Sequence, residues 1–334
     1  APALFGGLTI SWVDGAAAAV ERLDCQVPVT VFVPPTPVST AVSTAVADQL
    51  TNTTVMAAYD VVWVANSSKG TVVKIDPETA RVVGEFNTKP VDTTAPYPSR
   101  LAVDSKGNVW VANYSHDSII KIGLPENGYW VDRNNNGVID TSGSLGDVRA
   151  WAGAGTLADA QDEAILLYVR TDVASVRQIS IDAEDNVWVG GAGGDWQKFN
   201  GQTGALLRSE PALVEGGQGG FIAGNGKLYS ISDQFLIWDT ANSIAQLPQA
   251  ENIRRGSWAS ALDSQGNLWV TKDWTSTIVK YAPDGTKLGE YYHGEPWAMG
   301  VAIDANDHVW IAHSHCGHSV GHMLSDGTLV GNVE

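Results

Sequence analysis

Cysteine is nearly missing: 334 residues hold only Cys25 and Cys316, so no disulfide framework carries the fold. The single intramolecular disulfide they allow would tie the N-terminal region to the last part of the chain, the alternative being two free thiols. Basic residues are also scarce. Twenty Lys and Arg stand against 37 Asp and Glu, a formal charge of −17, which argues against nucleic acid or an anionic membrane as partner and is compatible with cation binding. No apolar run reaches the roughly 18 residues that a membrane-spanning helix needs. The chain begins APALFGG without Met, as a secreted protein does after signal-peptide cleavage and as a trimmed chain would too. Only 17% of residues are charged and long Leu/Glu/Lys/Ala stretches are absent, which disfavours helices.

What is present is glycine (35), tryptophan (13) and a repeat. Aligned on one aromatic, the units centre on Trp63, Trp110, Trp188, Tyr229, Trp269 and Trp310, at intervals of 47, 78, 41, 40 and 41 residues. Each unit runs in the same order: an alternating strand ending in Asp (LAVD, ISID, SALD, VAID), a tight turn, the Trp strand, a polar loop, a third strand and a short fourth. The turns at Lys106-Gly107, Gln265-Gly266 and Asp284-Gly285 fall where hairpins need positive φ. Four short antiparallel strands repeating every 40 residues or so make one propeller blade. The expected architecture is therefore all-β, a six-bladed β-propeller over residues 51–334, with 123–170 as a long insertion after the second Trp repeat. Residues 1–50 do not match the repeat and form an irregular extension, a source of closure or contact strands. The Trp at a fixed place in each unit is read as packing between blades, and the strand-ending Asp as a turn cap.

The segments PSRLAVDSKGNVWVAN, WASALDSQGNLWVTK and AMGVAIDANDHVWIAH resemble the repeat of streptogramin (virginiamycin B) lyase-like and NHL-type propellers. The resemblance covers about residues 52–334 and concerns the fold; such propellers serve as lyases, hydrolases, sensors and binding modules. It implies, for the lyases, a His at the start of an inner strand, an acid just after the Trp strand, and a divalent metal. The first set of positions here reads Asn52, Ser99, Arg177, Gln218, Trp258 and Met299, and the second Asn66, Asn113, Gly191, Ser232, Lys272 and His313. The first set lacks His and the second lacks an acid, so the family's lyase residues are not carried over.

Two other stretches carry metal-type chemistry. DRNNNGVIDTSG places oxygens at Asp132, Asn134, Asn136 and Asp140, loop positions 1, 3, 5 and 9, with the Val138 carbonyl at 7 and Gly137 at the tight turn. This is the ligand order of an EF-hand-like calcium loop. Position 12 is Gly143 rather than a bidentate Glu, leaving Asp147, Glu126 or water to close the site. The second stretch, AHSHCGHSVGHM, sets His313, His315 and His318 close enough to offer zinc or copper a site, to leave a polar loop, or to supply a catalytic histidine. If Cys316 is in a disulfide it cannot serve as a thiolate ligand. Asn52, Asn66 and Asn113 begin glycosylation sequons.

The expected function is a secreted, calcium-stabilised binding or assembly module with a protein or glycan partner at the cell surface, or a second copy of itself. The alternative is an extracellular lyase or hydrolase using His313, His315, Arg177 and Lys272 in the central funnel. That alternative requires the four side chains to meet in one pocket.

Overall fold

Strand residues in each repeat alternate, and the turns between them carry the backbone that hairpins need. Gly107, Gly266 and Gly285 sit at φ of 86°, 79° and 90°, as their turn positions require. The equivalent turn positions of two other repeats hold Asp185 and Asp307 at φ near 60°. There the aspartate gains something glycine cannot offer. Asp185 accepts hydrogen bonds from the Ser105 amide (2.9 Å) and Asp307 from the Ser264 amide (2.7 Å), locking each turn to the preceding repeat.

The computed structural model describes residues 18–19, 30–31, 61–90, 96–151, 155–211, 217–232, 235–244, 258–272, 275–314 and 319–333. They form six antiparallel blades in chain order. Blade 1 comprises Val62–Asn66, Thr71–Asp76 and Arg81–Asn87; blade 2 Pro98–Val103, Val109–Asn113, Ser118–Ile122 and Ile165–Arg170. Blade 3 comprises Val176–Ile181, Val187–Gly191, Trp196–Phe199 and Leu206–Glu210; blade 4 Gly219–Ile222, Lys227–Ile231 and Phe235–Asp239. Blade 5 comprises Ser260–Leu262, Leu268–Thr271, Thr277–Tyr281 and Lys287–Tyr292; blade 6 Ala298–Ile303, Val309–His313, Val320–Met323 and Leu329–Val333. Blades 1 and 4 show three strands each among the described residues, the others four. Of the N-terminal extension only Ala18–Ala19, paired with Thr30–Val31, is described, and the closure and contact roles expected of 1–50 lie outside the described residues.

The core lies between blades. Trp63 and Phe86 of blade 1 pack with Val109 and Val111 of blade 2, and Trp269 and Ile278 of blade 5 pack with Val309 and Ile311 of blade 6. Single blades cannot cover both of their apolar faces, so stacking them buries clusters of side chains between neighbours. Of the six aligned aromatics only Trp310 escapes full burial.

The insertion is shorter than its sequence boundaries 123–170 suggested. Its last six residues, Ile165–Arg170, pair with Ser118–Ile122 as the outer strand of blade 2. The remainder packs onto the blade 1 and 2 core through Leu124, Trp151, Ala160 and Ala164.

Candidate functional sites

The repeat itself is explained by an ion pair that the motif reading did not include. In blade 3, Asp182 accepts the N–H of Asn186 (2.9 Å) and the Trp188 Nε1–H (3.1 Å), and pairs with Lys198 (2.7 Å). Blades 2 and 5 repeat the pairing with Asp104–Lys121 (2.8 Å) and Asp263–Lys280 (3.0 Å). Each lysine lies directly across from the repeat tryptophan in the sheet register and over its ring, at 4.8–5.3 Å from the ring centre. The signal was in the sequence, as the recurring Lys74, Lys121, Lys198 and Lys280 of the third strands. Blade 6 breaks the pattern. His322 takes the lysine's register position opposite Trp310, stacks on it at 4.1 Å, and lies 3.1 Å from His308, itself 3.7 Å from Asp304. His322→Lys should therefore restore the pair with Asp304 and raise stability at pH 7 by about 0.5–1 kcal/mol, read as a higher melting temperature; an unchanged or lower value would refute this register argument.

The loop from Asp132 to Asp140 is tied together by its own polar side chains. Asp132 accepts the N–H groups of Asn136 (3.1 Å) and Gly137 (2.9 Å), Asn134 Oδ1 that of Asn136 (3.0 Å), and Asn136 Oδ1 that of Val138 (2.8 Å). Asp140 Oδ2 receives the side-chain amides of Asn134 (2.7 Å) and Asn136 (2.9 Å), which hold its carboxyl below the usual range. Gly137 has the positive φ, 76°, that position 6 demands. The two acids offered to close the site have other partners. Asp147 is taken up by the Gly143 amide (2.9 Å) and Glu126 by Lys74 (2.6 Å). The acid at the loop is Glu163, fully buried, whose Oε1 accepts the Arg133 N–H and whose Oε2 accepts the Asp140 N–H, both at 2.8 Å, so that one carboxylate clamps the loop's entry and exit. Among the described residues no three His, Cys, Asp or Glu side chains gather as a metal-ligand group. A cation here would lean on two carboxylates, two amides and the Val138 carbonyl, a hard all-oxygen set suited to calcium.

A third cluster spans the propeller axis. The first strands of successive blades line the centre, and Arg100 of blade 2 donates to the Trp258 carbonyl (2.8 Å) just ahead of blade 5, on the far side of the ring. Arg177 lies between two aromatic rings, 4.9 Å from Tyr114 and 5.0 Å from Trp258, and donates from Nη1 to Gln218 Oε1 (3.0 Å). The residue is aimed there by a β-bulge: the ladder shifts between Val176 and Gln178, leaving Arg177 as the extra residue. Burial pushes both guanidiniums below the ordinary arginine value, and repulsion from Arg177 adds to this at Arg100, which falls to about 10. Yet all five residues, Arg100, Tyr114, Arg177, Gln218 and Trp258, remain partly exposed.

No family model matches this sequence, and a search of curated proteins finds no match. Solved structures do match. The chain is similar in fold to streptogramin B lyase. That structure superposes with a TM-score of 0.57 at 13% identity over 82% of this chain and 79% of the lyase. Virginiamycin B lyase from Staphylococcus aureus gives 0.58 at 11% over 82% and 80%, and a chain of the mitotic checkpoint complex 0.59 at 14% over 82% and 74%. At such identities the likeness is one of fold, and it spans a lyase and a component of a protein assembly alike.

Against the lyase comparison, the ring positions expected to carry a catalytic His hold Arg177, Gln218 and Trp258, joined in one cluster. The positions after the Trp strands are otherwise engaged. Lys272 pairs with Glu290 (2.6 Å), whose carboxyl is lowered to about 2 by Lys272 and Lys287. His313 is buried, its Nε2 2.9 Å from His293 Nδ1 and its Nδ1 3.0 Å from Ser319 Oγ. Burial lowers both rings of this pair to about 4. His313, Lys272 and Arg177 thus each have a separate partner, while His315, Cys316, His318 and Cys25 lie outside the described residues. Asn113 is unsuited to glycosylation in the folded chain, since its fully buried amide donates to the Thr88 carbonyl (2.7 Å).

Proposed function

We propose that this protein is a calcium-stabilised β-propeller that works outside the cell as a non-catalytic binding or assembly module, with a protein or glycan at the cell surface, or another copy of itself, as partner. The observation that carries the non-catalytic reading is the axial ring. Where the lyases are expected to hold a proton-accepting histidine, this chain holds Arg177 clamped between two aromatic rings. A guanidinium stays charged at any physiological pH, so it grips anions but takes up no proton. Rigid blades presenting loops are well suited to such binding.

The calcium part of the reading rests on Asp132, Asn134, Asn136, Val138 and Asp140, held in register by Glu163. With two carboxylates in the donor set, the affinity expected is that of extracellular modules, which work where calcium is millimolar. Elemental analysis of the native protein should find about one calcium per chain, lost on exhaustive EDTA treatment. Calcium at about a hundredfold over its dissociation constant should add about 2.7 kcal/mol of stability, a shift of several degrees in melting temperature. Asp132→Ala with Asp140→Ala should abolish that shift. No calcium in the native protein together with an EDTA-insensitive melt would sink the calcium reading, and zinc or copper in similar amount would move attention to the histidine segment.

A further inference from the structure

The cluster on the propeller axis has a charge pattern that folding alone does not call for. Arg177 spends Nη1 on Gln218, and its two faces are covered by Tyr114 and Trp258. Among the described residues no carboxylate pairs with it, and its Nε and Nη2 have no hydrogen-bond partner. Those two atoms form one edge of the guanidinium, with two parallel N–H donors. Because aromatic rings cover both faces and Gln218 holds the opposite side, a ligand must approach in the guanidinium plane along that edge. A carboxylate, planar and with two oxygens spaced to match, is the group such a fork accepts.

Three further features favour an anion there. A second guanidinium, that of Arg100, donates to the carbonyls of the same Trp258 (2.8 Å) and Gln218 (3.4 Å) that hold Arg177, and a bound negative charge would relieve the repulsion between the two cations. The five side chains are each only partly exposed, so a charge among them is weakly screened. The backbone is also shaped to let the arginines in: a Cβ on Gly219 would come within 2.5 Å of the Trp258 carbonyl and 3.4 Å of Arg100 Nη2. Arg100 and Arg177, from neighbouring blades, thus meet at Trp258 and Gln218 in a chain with a net charge of −17.

We propose that Arg177, held between Tyr114 and Trp258 and backed by Arg100 and Gln218, binds a small carboxylate-bearing molecule in the axial channel. This names a ligand class for the binding-module reading and rests on it, but it does not depend on the calcium loop. The site neither adds nor removes a proton; it holds the anion.

The test is calorimetric titration of the full chain with malonate, with inorganic phosphate and with malonamide, following tryptophan fluorescence in parallel. Malonate should bind with a millimolar or tighter constant, phosphate more weakly and malonamide not at all. Arg177→Gln should weaken malonate binding at least about tenfold, and Arg177→Lys should weaken it too, because an ammonium keeps the charge and loses the fork. The melting temperature of Arg177→Lys, which keeps a cation between the two rings, should stay within a few degrees of the wild type, so binding lost in that variant will not reflect a lost fold. Malonate binding that is absent in the wild type, or unchanged in Arg177→Gln, overturns the proposal, and phosphate binding more tightly than malonate overturns the assignment to carboxylates. Running each titration with calcium and after EDTA separates the readings: EDTA-insensitive stability with intact malonate binding discards the calcium loop alone, and conversion of malonate during the titration discards the non-catalytic reading alone.

Discussion

Replacing Asp263 with alanine is expected to cost about 3–5 kcal/mol, the toll of stranding a buried charge. Its carboxylate accepts the N–H groups of Gln265 (3.1 Å) and Asn267 (2.8 Å), the Asn267 side-chain amide (3.0 Å) and the Trp269 Nε1–H (3.2 Å), and pairs with Lys280 at 3.0 Å. The carboxylate side chain is 3% exposed and the lysine 13%, so water cannot replace the lost partner. Burial alone would raise the Asp263 pKa, yet the hydrogen bonds from Asn267 and Lys280 outweigh it and hold the group below its ordinary value. The bonds to Asp263 thus favour its charged form by more than desolvation opposes it. A comparison with Asp326→Ala isolates the cause, because Asp326 makes the same kind of turn bond, to the Thr328 amide at 2.8 Å, in an exposed hairpin. That control should cost less than about 1 kcal/mol. Chemical denaturation of the two variants, with Asp263→Asn and Lys280→Gln combined in a double-mutant cycle, reads the coupling directly. An Asp263→Ala protein within about 1 kcal/mol of the wild type would show that the Asp–Trp–Lys unit does not hold the blade together.

Acid should weaken blade 6 through the His293–His313 pair. Both rings are buried, and burial lowers each to about 4 from the 6.5 of an unperturbed histidine, with His293 adding electrostatic repulsion at His313. Above pH 6.5 the rings are neutral folded or unfolded, and the pair contributes no pH dependence. As pH falls from 6.5 toward 4 the unfolded chain takes up protons that the folded chain refuses, so stability declines across that window and levels off below it. A shift of this size corresponds to about 3 kcal/mol for one ring. The pair's polar side-chain contacts are each other and Ser319, and among the described residues no carboxylate is placed to accept an added charge. Melting curves taken in EDTA from pH 7 to pH 4 should show the decline in the wild type and a shallower one in His293→Gln combined with His313→Gln. Parallel slopes in the two proteins would exclude the pair as the cause.

How far the sequence could be read differed from feature to feature. The blades were legible because their signals are local: a period of about 40, side chains alternating between faces, an Asp at the strand end and Gly at positive φ in the turns. The tight loop from Asp132 to Asp140 was legible for the same reason, since its hydrogen-bonding side chains lie within one short stretch of chain. Its clamp was not. Glu163 arrives from 30 residues beyond Arg133, after a turn, and nothing in the spacing marks it over Asp147 or Glu126. The histidine segment offered His313, His315 and His318 as one site; the side chain of His313 lies against His293 and that of His322 against His308, 20 and 14 residues away, while His315 and His318 lie outside the described residues.

The axial cluster lay furthest out of reach. Arg100 and Trp258 are separated by 158 residues, and Arg177 meets Gln218 across 41. Repetition along the chain specifies each blade and its contact with the next, because those interactions recur at a fixed distance in sequence. Which side chains meet across the centre follows from closing six blades into a ring, a step that sets the first strand of blade 2 opposite that of blade 5. That closure follows from the number of repeats, so the motif showed the architecture and only the folded ring showed which side chains meet at the axis.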